Sequence, residues 1–219
     1  MARKKYYIVF DTEATNGLDD PLVYDLGFAV IDKTGKVYEA YSFVIYDVYV
    51  GCKEQMKTAY YRDKLPQYEK DLKSGKRKMV SFFTAKKVFA EVCRRFKVSA
   101  IMAHNARFDI RALNTTIRYL TKSKVRYFFP YNVEIWCTLK MSRSIFRNKP
   151  LYKRFCIDNG YIYNKTVPRM TAEIIYRFIS NRDNFVERHT GLEDVMIEKE
   201  IFAYLKRQHK KMEYLPFAT

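Results

Sequence analysis

Paired cysteines, histidine, glycine and long apolar runs are all scarce in this chain of 219 residues. Its four cysteines, Cys52, Cys93, Cys137 and Cys156, include no C-x-x-C pair, which argues against a zinc knuckle or a disulfide framework. No stretch approaches the ~20 apolar residues of a membrane span, and the apolar run after the basic N-terminus is too short for a secretory signal. We therefore expect a reduced cytoplasmic protein without a membrane partner, in the host cytoplasm if the source is viral.

Positive charge and aromatic rings are abundant instead. Lys and Arg total 41 against 24 Asp and Glu, which gives a net charge of +17, and there are 19 Tyr and 16 Phe. Such an excess favours a polyanionic partner, and exposed rings can stack on single-stranded bases, although most are expected in the core. Hydrophobic residues make up 48% of the chain, which is enough for a core and argues against disorder. Many Lys and Tyr with few Gly are typical of an AT-rich genome, such as that of a phage.

The order of apolar segments predicts a single α/β domain over residues 1–219. Strand-like runs are predicted at Tyr6–Phe10, Val23–Ile31, Val37–Ile45, Ala100–Ala103 and Val133–Cys137. Helical spacing is predicted at Thr84–Phe96, after Asn105, and at Thr138–Phe146, Leu151–Asp158, Thr171–Ile179 and Leu192–Leu205. Short links join the early strands, so we expect a mixed five-stranded sheet, with three antiparallel strands followed by parallel ones, flanked by helices.

Two stretches depart from this regular pattern. Residues 51–97 form a basic elaboration, since Lys53–Lys97 holds 14 Lys and Arg against 5 Asp and Glu, and its part Lys70–Lys78 is predicted to be an exposed loop. Residues 160–188 form a long segment of unusual sequence. The expected nucleic-acid surface consists of Lys73, Lys76, Arg77, Lys78, Arg143, Arg147 and Lys149. The alternative for these residues is a solvated basic face that only aids solubility.

The chain contains one Asp-x-Glu motif, Asp11-Thr-Glu13, which is predicted to lie where the first strand ends. Side chains two apart in an extended segment point to the same face, so the two carboxylates would project together. Adjacent carboxylates repel each other unless a cation lies between them, and their oxygens suit Mg²⁺ or Mn²⁺. By itself, such a motif is more often a solvated turn.

Two further aspartates lie in the first turn of predicted helices. Asp109 follows a predicted N-cap at Asn105, and Asp194 follows a predicted capping box formed by Thr190 and Glu193. The positive end of a helix dipole favours ionised carboxylates at such positions. His189 precedes the second helix on irregular backbone, where solvent access would suit a general base.

The joint order of these motifs resembles the DEDDh, or DnaQ-like, family of 3′→5′ exonucleases, which have the ribonuclease H-like fold. The sequence is most similar to the epsilon proofreading type. The resemblance spans about Tyr7 to Leu205 and is carried by Phe10-Asp-Thr-Glu13, His104-Asn-Ala106, Phe108-Asp109 and His189 with Asp194. The tract Glu134–Leu139 is similar to a family strand that ends in Asp-Thr-Leu, with Cys137 where Asp is usual.

The resemblance implies a role for each matching residue. Asp11, Glu13 and Asp194 would hold a first divalent cation, Mg²⁺ or Mn²⁺. Asp11 would bridge to a second cation, Asp109 would hold the waters of that cation, and His189 would deprotonate the attacking water. Backbone at Thr12 and Ala14 would contact the terminal 3′-hydroxyl, and Asn105 and Phe108 would line the terminal nucleotide's pocket.

The expected function is therefore metal-dependent 3′→5′ hydrolysis of single-stranded DNA to nucleoside monophosphates. The same chemistry on RNA or short oligoribonucleotides is an alternative, because no motif reads the 2′-hydroxyl. A non-catalytic nucleic-acid-binding subunit would be expected to lack one of the acids or the histidine, and a polybasic membrane-surface protein would leave the acidic motifs unexplained. A proofreading role would require a polymerase or replication partner.

Overall fold

The computed structural model describes residues 4–15, 20–59 and 61–217, and a mixed sheet lies at its centre. Its strands are β1 (Tyr6–Ala14), β2 (Val23–Asp32), β3 (Val37–Ile45), β4 (Lys78–Val80), β5 (Ala100–Ala103) and β6 (Glu134–Cys137). Their spatial order is β4-β3-β2-β1-β5-β6. Strands β1 to β3 pair antiparallel, β5 is parallel to β1, and β6 is parallel to β5. The predicted α/β architecture is confirmed.

Helices cover both faces of this sheet. They are α1 (Tyr46–Tyr49), α2 (Lys53–Met56), α3 (Leu65–Lys73), α4 (Phe82–Phe96), α5 (Arg107–Thr121), α6 (Thr138–Phe146), α7 (Pro150–Asp158), α8 (Ala172–Ser180) and α9 (Gly191–Arg207). A small hairpin, β7 (Ile162–Tyr163) and β8 (Val167–Pro168), lies between α7 and α8. Within the described ranges, no helix combines the length and the apolar character that crossing a membrane would require.

Alternation along β1 separates two apolar layers. Ile8 and Phe10 pack into the layer that includes residues of α4 and α5, whereas Tyr7 and Val9 pack into the layer that includes residues of α8 and α9. Because successive side chains of a strand point to opposite faces, Asp11 continues the face of Tyr7 and Val9. The first acidic residue of the predicted site therefore lies on the side of the sheet that α9 covers.

Three details of the predicted sheet are wrong. The sheet has six strands instead of five, because Lys78–Val80 pairs in parallel with β3 at the edge. Of the segment Lys70–Lys78, predicted as an exposed loop, the first four residues end helix α3, the next four form turns and bends, and Lys78 begins β4. Strand β1 does not end at Phe10 but continues to Ala14, since it stays paired with β2 beyond that point. Asp11 and Glu13 thus lie within a strand, which holds their backbone rigidly.

One predicted N-cap, Asn105, is wrong, and the other, Thr190, is confirmed without the predicted capping bond. Helix α5 begins one residue later than predicted, with Ala106 at its N-cap and Asn105 at φ 62°. Thr190 is the N-cap of α9 without a side-chain capping bond. Its Oγ1 instead donates to Glu193 Oε2 at 2.8 Å, and its amide donates to Asp194 Oδ2 at 3.0 Å. The start of α9 is therefore closed by Asp194 rather than by the predicted capping box.

Two glycines bring α9 against the sheet. A Cβ atom on Gly27 would lie 2.2 Å from the carbonyl carbon of Gly191, and a Cβ atom on Gly191 would lie 2.6 Å from the amide nitrogen of Gly27. Only residues without side chains allow this approach. Since Gly27 pairs with Asp11 across β1 and β2, the contact places the first turn of α9 next to Asp11.

A buried ionic network holds this helix start in place. Arg77, which is 2% exposed, donates to Asp25 Oδ2 at 3.1 Å, to Asp71 Oδ2 at 3.0 Å and to Glu193 Oε2 at 2.7 Å. Asp25 Oδ2 also accepts the amide of Gly191 at 2.9 Å. The prediction that Arg77 contributes to a nucleic-acid surface is therefore wrong, because its guanidinium is fully engaged inside the protein.

We expect Arg77→Ala to lower the free energy of unfolding by about 3–5 kcal/mol, because the substitution leaves buried carboxylates without their cation. Urea unfolding followed by circular dichroism measures this loss. Lys73→Ala is the matched control, since Lys73 is an exposed cation of the same segment and its loss should leave stability unchanged. Equal effects of the two substitutions would contradict the role assigned to Arg77.

Candidate active site

Three predicted acids come together where β1 meets α9. Carboxylate oxygens of Asp11, Glu13 and Asp194 all lie within 4.8 Å of one another. Asp11 and Glu13 share a face of β1 because they are two residues apart, and the Gly27–Gly191 contact brings Asp194 opposite them. Such a group of carboxylate oxygens has the size and chemistry of a site for a hard divalent cation.

Asp109 joins these acids from α5. Its Oδ1 accepts the amide of Thr12 at 3.1 Å and the hydroxyl of Thr12 at 2.8 Å. The side chain is therefore anchored to the residue that lies between Asp11 and Glu13. The Thr12 amide is therefore already hydrogen-bonded to Asp109. Ala14, the other residue predicted to contact a terminal 3′-hydroxyl, is buried and 8% exposed.

Burial and mutual repulsion act strongly on these carboxylates. Burial raises the pKa of Asp109 to about 7, and burial together with nearby Glu187 raises the pKa of Asp194 to about 8. Burial and the surrounding acids also raise the pKa values of Asp11 and Glu13 well above their usual range. Among the described residues, none of these acids has a basic side chain within ion-pair distance.

A divalent cation fits this arrangement. Asp194 is 4% exposed, and its Oδ1 is buried without a hydrogen-bond partner in the described part of the chain. The donor set consists of oxygen atoms alone, which Mg²⁺ and Mn²⁺ prefer. A cation at this point would satisfy the lone oxygen and remove the repulsion at the same time.

His189 lies in the same cavity, held by an aromatic ring and an acid. Its ring stacks on Tyr61 with centroids 4.3 Å apart, and its Nδ1 lies 3.9 Å from Glu187 Oε2. Burial lowers its pKa from the ordinary value, so the imidazole is neutral near pH 7 and can accept a proton. Its φ of 54° turns the backbone sharply just before α9.

His104 has a structural role at the end of β5. Its Nε2 lies 2.8 Å from the Met170 carbonyl and its Nδ1 lies 3.1 Å from Thr138 Oγ1, so both ring nitrogens have partners. Burial lowers the pKa of His104 to about 4, which keeps the ring neutral. The ring therefore attaches the segment after the β7–β8 hairpin to the sheet.

The cavity around these groups has a volume of about 760 Å³. Acidic residues form one part of its lining: Asp11, Glu13, Asp109, Glu187, Asp194 and Glu198. Other parts come from polar, aromatic and basic side chains: Tyr61, Asn105, Phe108, Arg143, Arg147, Tyr163 and His189. Asn105 and Phe108 thus line the cavity, and their contact with a terminal nucleotide stays a prediction.

The predicted basic surface divides into residues with different surroundings. Arg143 and Arg147 are exposed, lie one helical turn apart and line the cavity. Lys73 and Lys78 are exposed elsewhere, and Lys76 pairs with Glu193 at 2.5 Å. Lys149 donates to the Tyr204 hydroxyl at 2.5 Å and lies over aromatic rings. Only the two arginines of this set are next to the acids.

The sequence motifs did not predict that Glu187, Glu198 and the β7–β8 hairpin contribute to the cavity. Glu198 lies four residues after Asp194 on a helix whose buried residues are mostly apolar. A charged residue among apolar ones is the feature of the sequence that could have indicated its place in the cavity. Glu187 and the hairpin lie in the stretch of unusual sequence, which contains no recognisable spacing. Their place in the cavity depends on tertiary packing.

In the absence of divalent cations, we expect stability to be lower at pH 8.5 than at pH 5.5. The folded pKa values of Asp109 and Asp194, about 7 and about 8, lie above the ordinary value of 3.8. The folded state therefore keeps protons that the unfolded state has released, so stability is lost from about pH 4 upward and levels off above about pH 8. Mn²⁺ should restore stability at the higher pH. Thermal unfolding in EDTA and in Mn²⁺ at both pH values measures this, and a pH-independent midpoint in EDTA would contradict it.

In sequence, no family model matches the chain and no curated protein matches it. In structure, it is similar to a full-length 3′-exonuclease at 13% identity and a TM-score of 0.63, over 97% of this chain and 86% of that one. The nuclease domain of 3′hExo, a DEDDh family member bound to rAMP, aligns at 11% identity and a TM-score of 0.50, over 97% of both chains.

Exonuclease I of E. coli, in a zinc-bound complex with single-stranded DNA, aligns at 13% identity and a TM-score of 0.58. The alignment covers 94% of this chain and 41% of that one, so this chain corresponds to about two fifths of exonuclease I. Sequence identities this low show similarity of fold alone. The chain has the ribonuclease H-like fold that these 3′-exonucleases share.

Proposed function

We propose that this protein is a metal-dependent 3′→5′ exonuclease that removes nucleoside monophosphates from single-stranded DNA. The observation that carries the proposal is the convergence of Asp11, Glu13, Asp109 and Asp194 in one cavity, without a basic ion-pair partner among the described residues, beside the neutral imidazole of His189. The similarity in fold to 3′-exonucleases supports the same reading.

The acids would hold two divalent cations, Mg²⁺ or Mn²⁺. Asp11, Glu13 and Asp194 would bind the first, and Asp11 with Asp109 would bind the second. When bound, the cations supply charge that stabilises the entering and leaving oxygens of a phosphodiester. Thr12 orients Asp109 through two hydrogen bonds, which would keep that carboxylate ready for its ion.

His189 would act as the general base through its Nε2 atom, since its Nδ1 faces Glu187. The imidazole takes a proton from water, the water oxygen attacks the phosphorus, and the bond from phosphorus to the O3′ of the preceding nucleotide breaks. The leaving oxygen then takes a proton from solvent. The products are a nucleoside 5′-monophosphate and a strand with a new 3′-hydroxyl.

The cavity lining supports the proposed preference for a single-stranded terminus. Asn105 and Phe108 would hold the last nucleotide, and the half-exposed ring of Tyr163 would offer a surface for an unpaired base. Arg143 and Arg147 would neutralise phosphates that precede the cut. A terminal nucleotide held in this way presents its own phosphodiester to the acids.

RNA or short oligoribonucleotides are the alternative substrates, and one structural neighbour, the 3′hExo nuclease domain, is bound to rAMP. No described side chain is assigned to a 2′-hydroxyl, so the preference between DNA and RNA has to be measured directly. Matched DNA and RNA oligomers, digested in parallel, distinguish the two substrate classes. A proofreading role would additionally require a polymerase or replication partner.

A single-stranded DNA oligomer labelled at its 5′ end tests the proposed reaction. With Mg²⁺ or Mn²⁺ we expect a descending ladder, and with EDTA an intact band. Asp11→Ala and Asp194→Ala should abolish cleavage while the proteins remain folded, because each removes a carboxylate of the first cation site. Ladder formation by either variant at the wild-type rate would rule out the ligand assignment.

His189→Ala should slow cleavage by about 10²–10⁴-fold and remove a pH-dependent limb of the rate profile. Because burial lowers the pKa of His189 from 6.5, the wild-type rate should rise with a midpoint below that value. Rates are measured at saturating Mn²⁺, so that protonation of the metal-binding carboxylates does not produce the pH dependence that is attributed to His189. His209→Ala is the matched control, since His209 is exposed near the end of the chain and lies outside the cavity.

A further inference from the structure

The segment that carries His189 has little regular structure of its own. Residues 185–189 form neither helix nor strand, and the backbone of His189 has a φ of 54°, in the left-handed region that non-glycine residues rarely adopt. The side chain is 32% exposed, so burial in the core does not fix its orientation. A general base must hold its accepting nitrogen close to the attacking water, so another contact has to orient this imidazole.

Tyr61 provides that contact through its ring. The centroids of the two rings lie 4.3 Å apart and their planes are inclined by 6°, so the rings are stacked almost parallel. Both residues line the cavity that contains the acids. A stacked ring covers one face of the imidazole and leaves its edge, with Nδ1 and Nε2, free of this contact. Tyr61 therefore restricts the plane of the imidazole without competing for its proton.

The segment around Tyr61 is fixed to the same helix start at a second point. Tyr61 lies before α3, and Arg77 lies after it. Arg77 donates to Glu193 Oε2 at 2.7 Å, and the same oxygen accepts the hydroxyl of Thr190 at 2.8 Å, directly after His189. The residues on either side of α3 thus hold one short stretch of chain. This arrangement gives the basic elaboration a role in the site beyond its charge.

We propose that Tyr61 is a positioning residue for the general base, because its ring holds the imidazole of His189 in the orientation that accepts a proton from water. The inference rests on the proposed function and adds to it a residue from the basic elaboration, for which no motif predicted a place in the site. The ring acts through His189 rather than through the substrate. Loss of the ring should therefore slow the chemical step and leave the affinity for the strand unchanged.

Proton NMR of the protein without substrate tests whether the rings stack in solution. The chain has three histidines, so few imidazole signals have to be assigned, and those of His189 are identified by their absence in His189→Ala. The ring current of Tyr61 should move them upfield in the wild-type protein and in Tyr61→Phe, but not in Tyr61→Ala. The signals of the exposed His209 should be the same in all of these proteins. Equal His189 shifts in the wild type and in Tyr61→Ala would overturn the proposal.

Cleavage of labelled single-stranded DNA tests the effect on catalysis. Tyr61→Ala should lower kcat by about 10- to 100-fold with an unchanged KM, because a misplaced base costs rate rather than binding. Tyr61→Phe keeps the ring and should retain the wild-type kcat. Tyr46→Ala is the matched control, since Tyr46 is 52% exposed and lies outside the cavity lining. A wild-type kcat in Tyr61→Ala, or an equal loss in Tyr61→Phe, would exclude the positioning role.

A double variant shows whether Tyr61 acts through His189. Once His189→Ala has removed the base, Tyr61→Ala should cause no further loss of rate, because the two residues act as one unit. A further loss would mean that the ring acts on the substrate or the fold, and the proposal would be wrong. A wild-type rate in His189→Ala would instead refute the base assignment in the proposed function, and the NMR shifts would still show whether the rings stack.

Discussion

The close approach of Gly27 and Gly191 is the constraint on which the site depends. Asp11 and Glu13 belong to a strand, and Asp194 belongs to a helix that starts far away in sequence. Their carboxylates meet because two residues without side chains allow the backbone of α9 to touch that of β2. A larger residue at either position would push α9 outward and separate the acids, so the relative position of these acids is set by backbone contact.

The mutual repulsion of these acids opposes folding. A buried ionic network beside the site stabilises the start of the helix that carries Asp194. The Arg77 network connects Asp25, Asp71 and Glu193 just behind the start of α9, where Asp25 also binds the Gly191 amide. Arg77 and Lys76 thus pair with the acids that are needed for structure, whereas the acids of the cavity have no basic partner within ion-pair distance in the described ranges. This separation of paired and unpaired carboxylates leaves the acids of the cavity available to the cations proposed above.

Much of the sheet and the main acids could be predicted from the sequence, because both follow local rules. Strand β3, strand β5 and helix α6 have the predicted bounds, since apolar spacing determines them. Strand β4 could not be predicted, because three residues in a basic segment carry no periodicity. Arg77 was assigned to the surface for a related reason, since charge content alone does not reveal which cation is buried. Glu198 was not predicted because its spacing matches no motif, and only the fold brings it into the cavity with Asp11 and Asp109.

The distribution of charge around the cavity connects the overall composition to the site. The chain carries a net charge of +17, yet the acids are concentrated in the cavity with Arg143 and Arg147 on its wall. A polyanion would be attracted by the basic exterior but repelled by the acids until cations neutralise them. In the proposed function, binding of the strand's end and binding of metal would therefore be coupled, because the cations remove the repulsion between the acids and the phosphates, and the phosphates add negative charge that attracts the cations. A strand held only by the exterior would lie beside the cavity and leave its phosphodiester beyond the reach of His189.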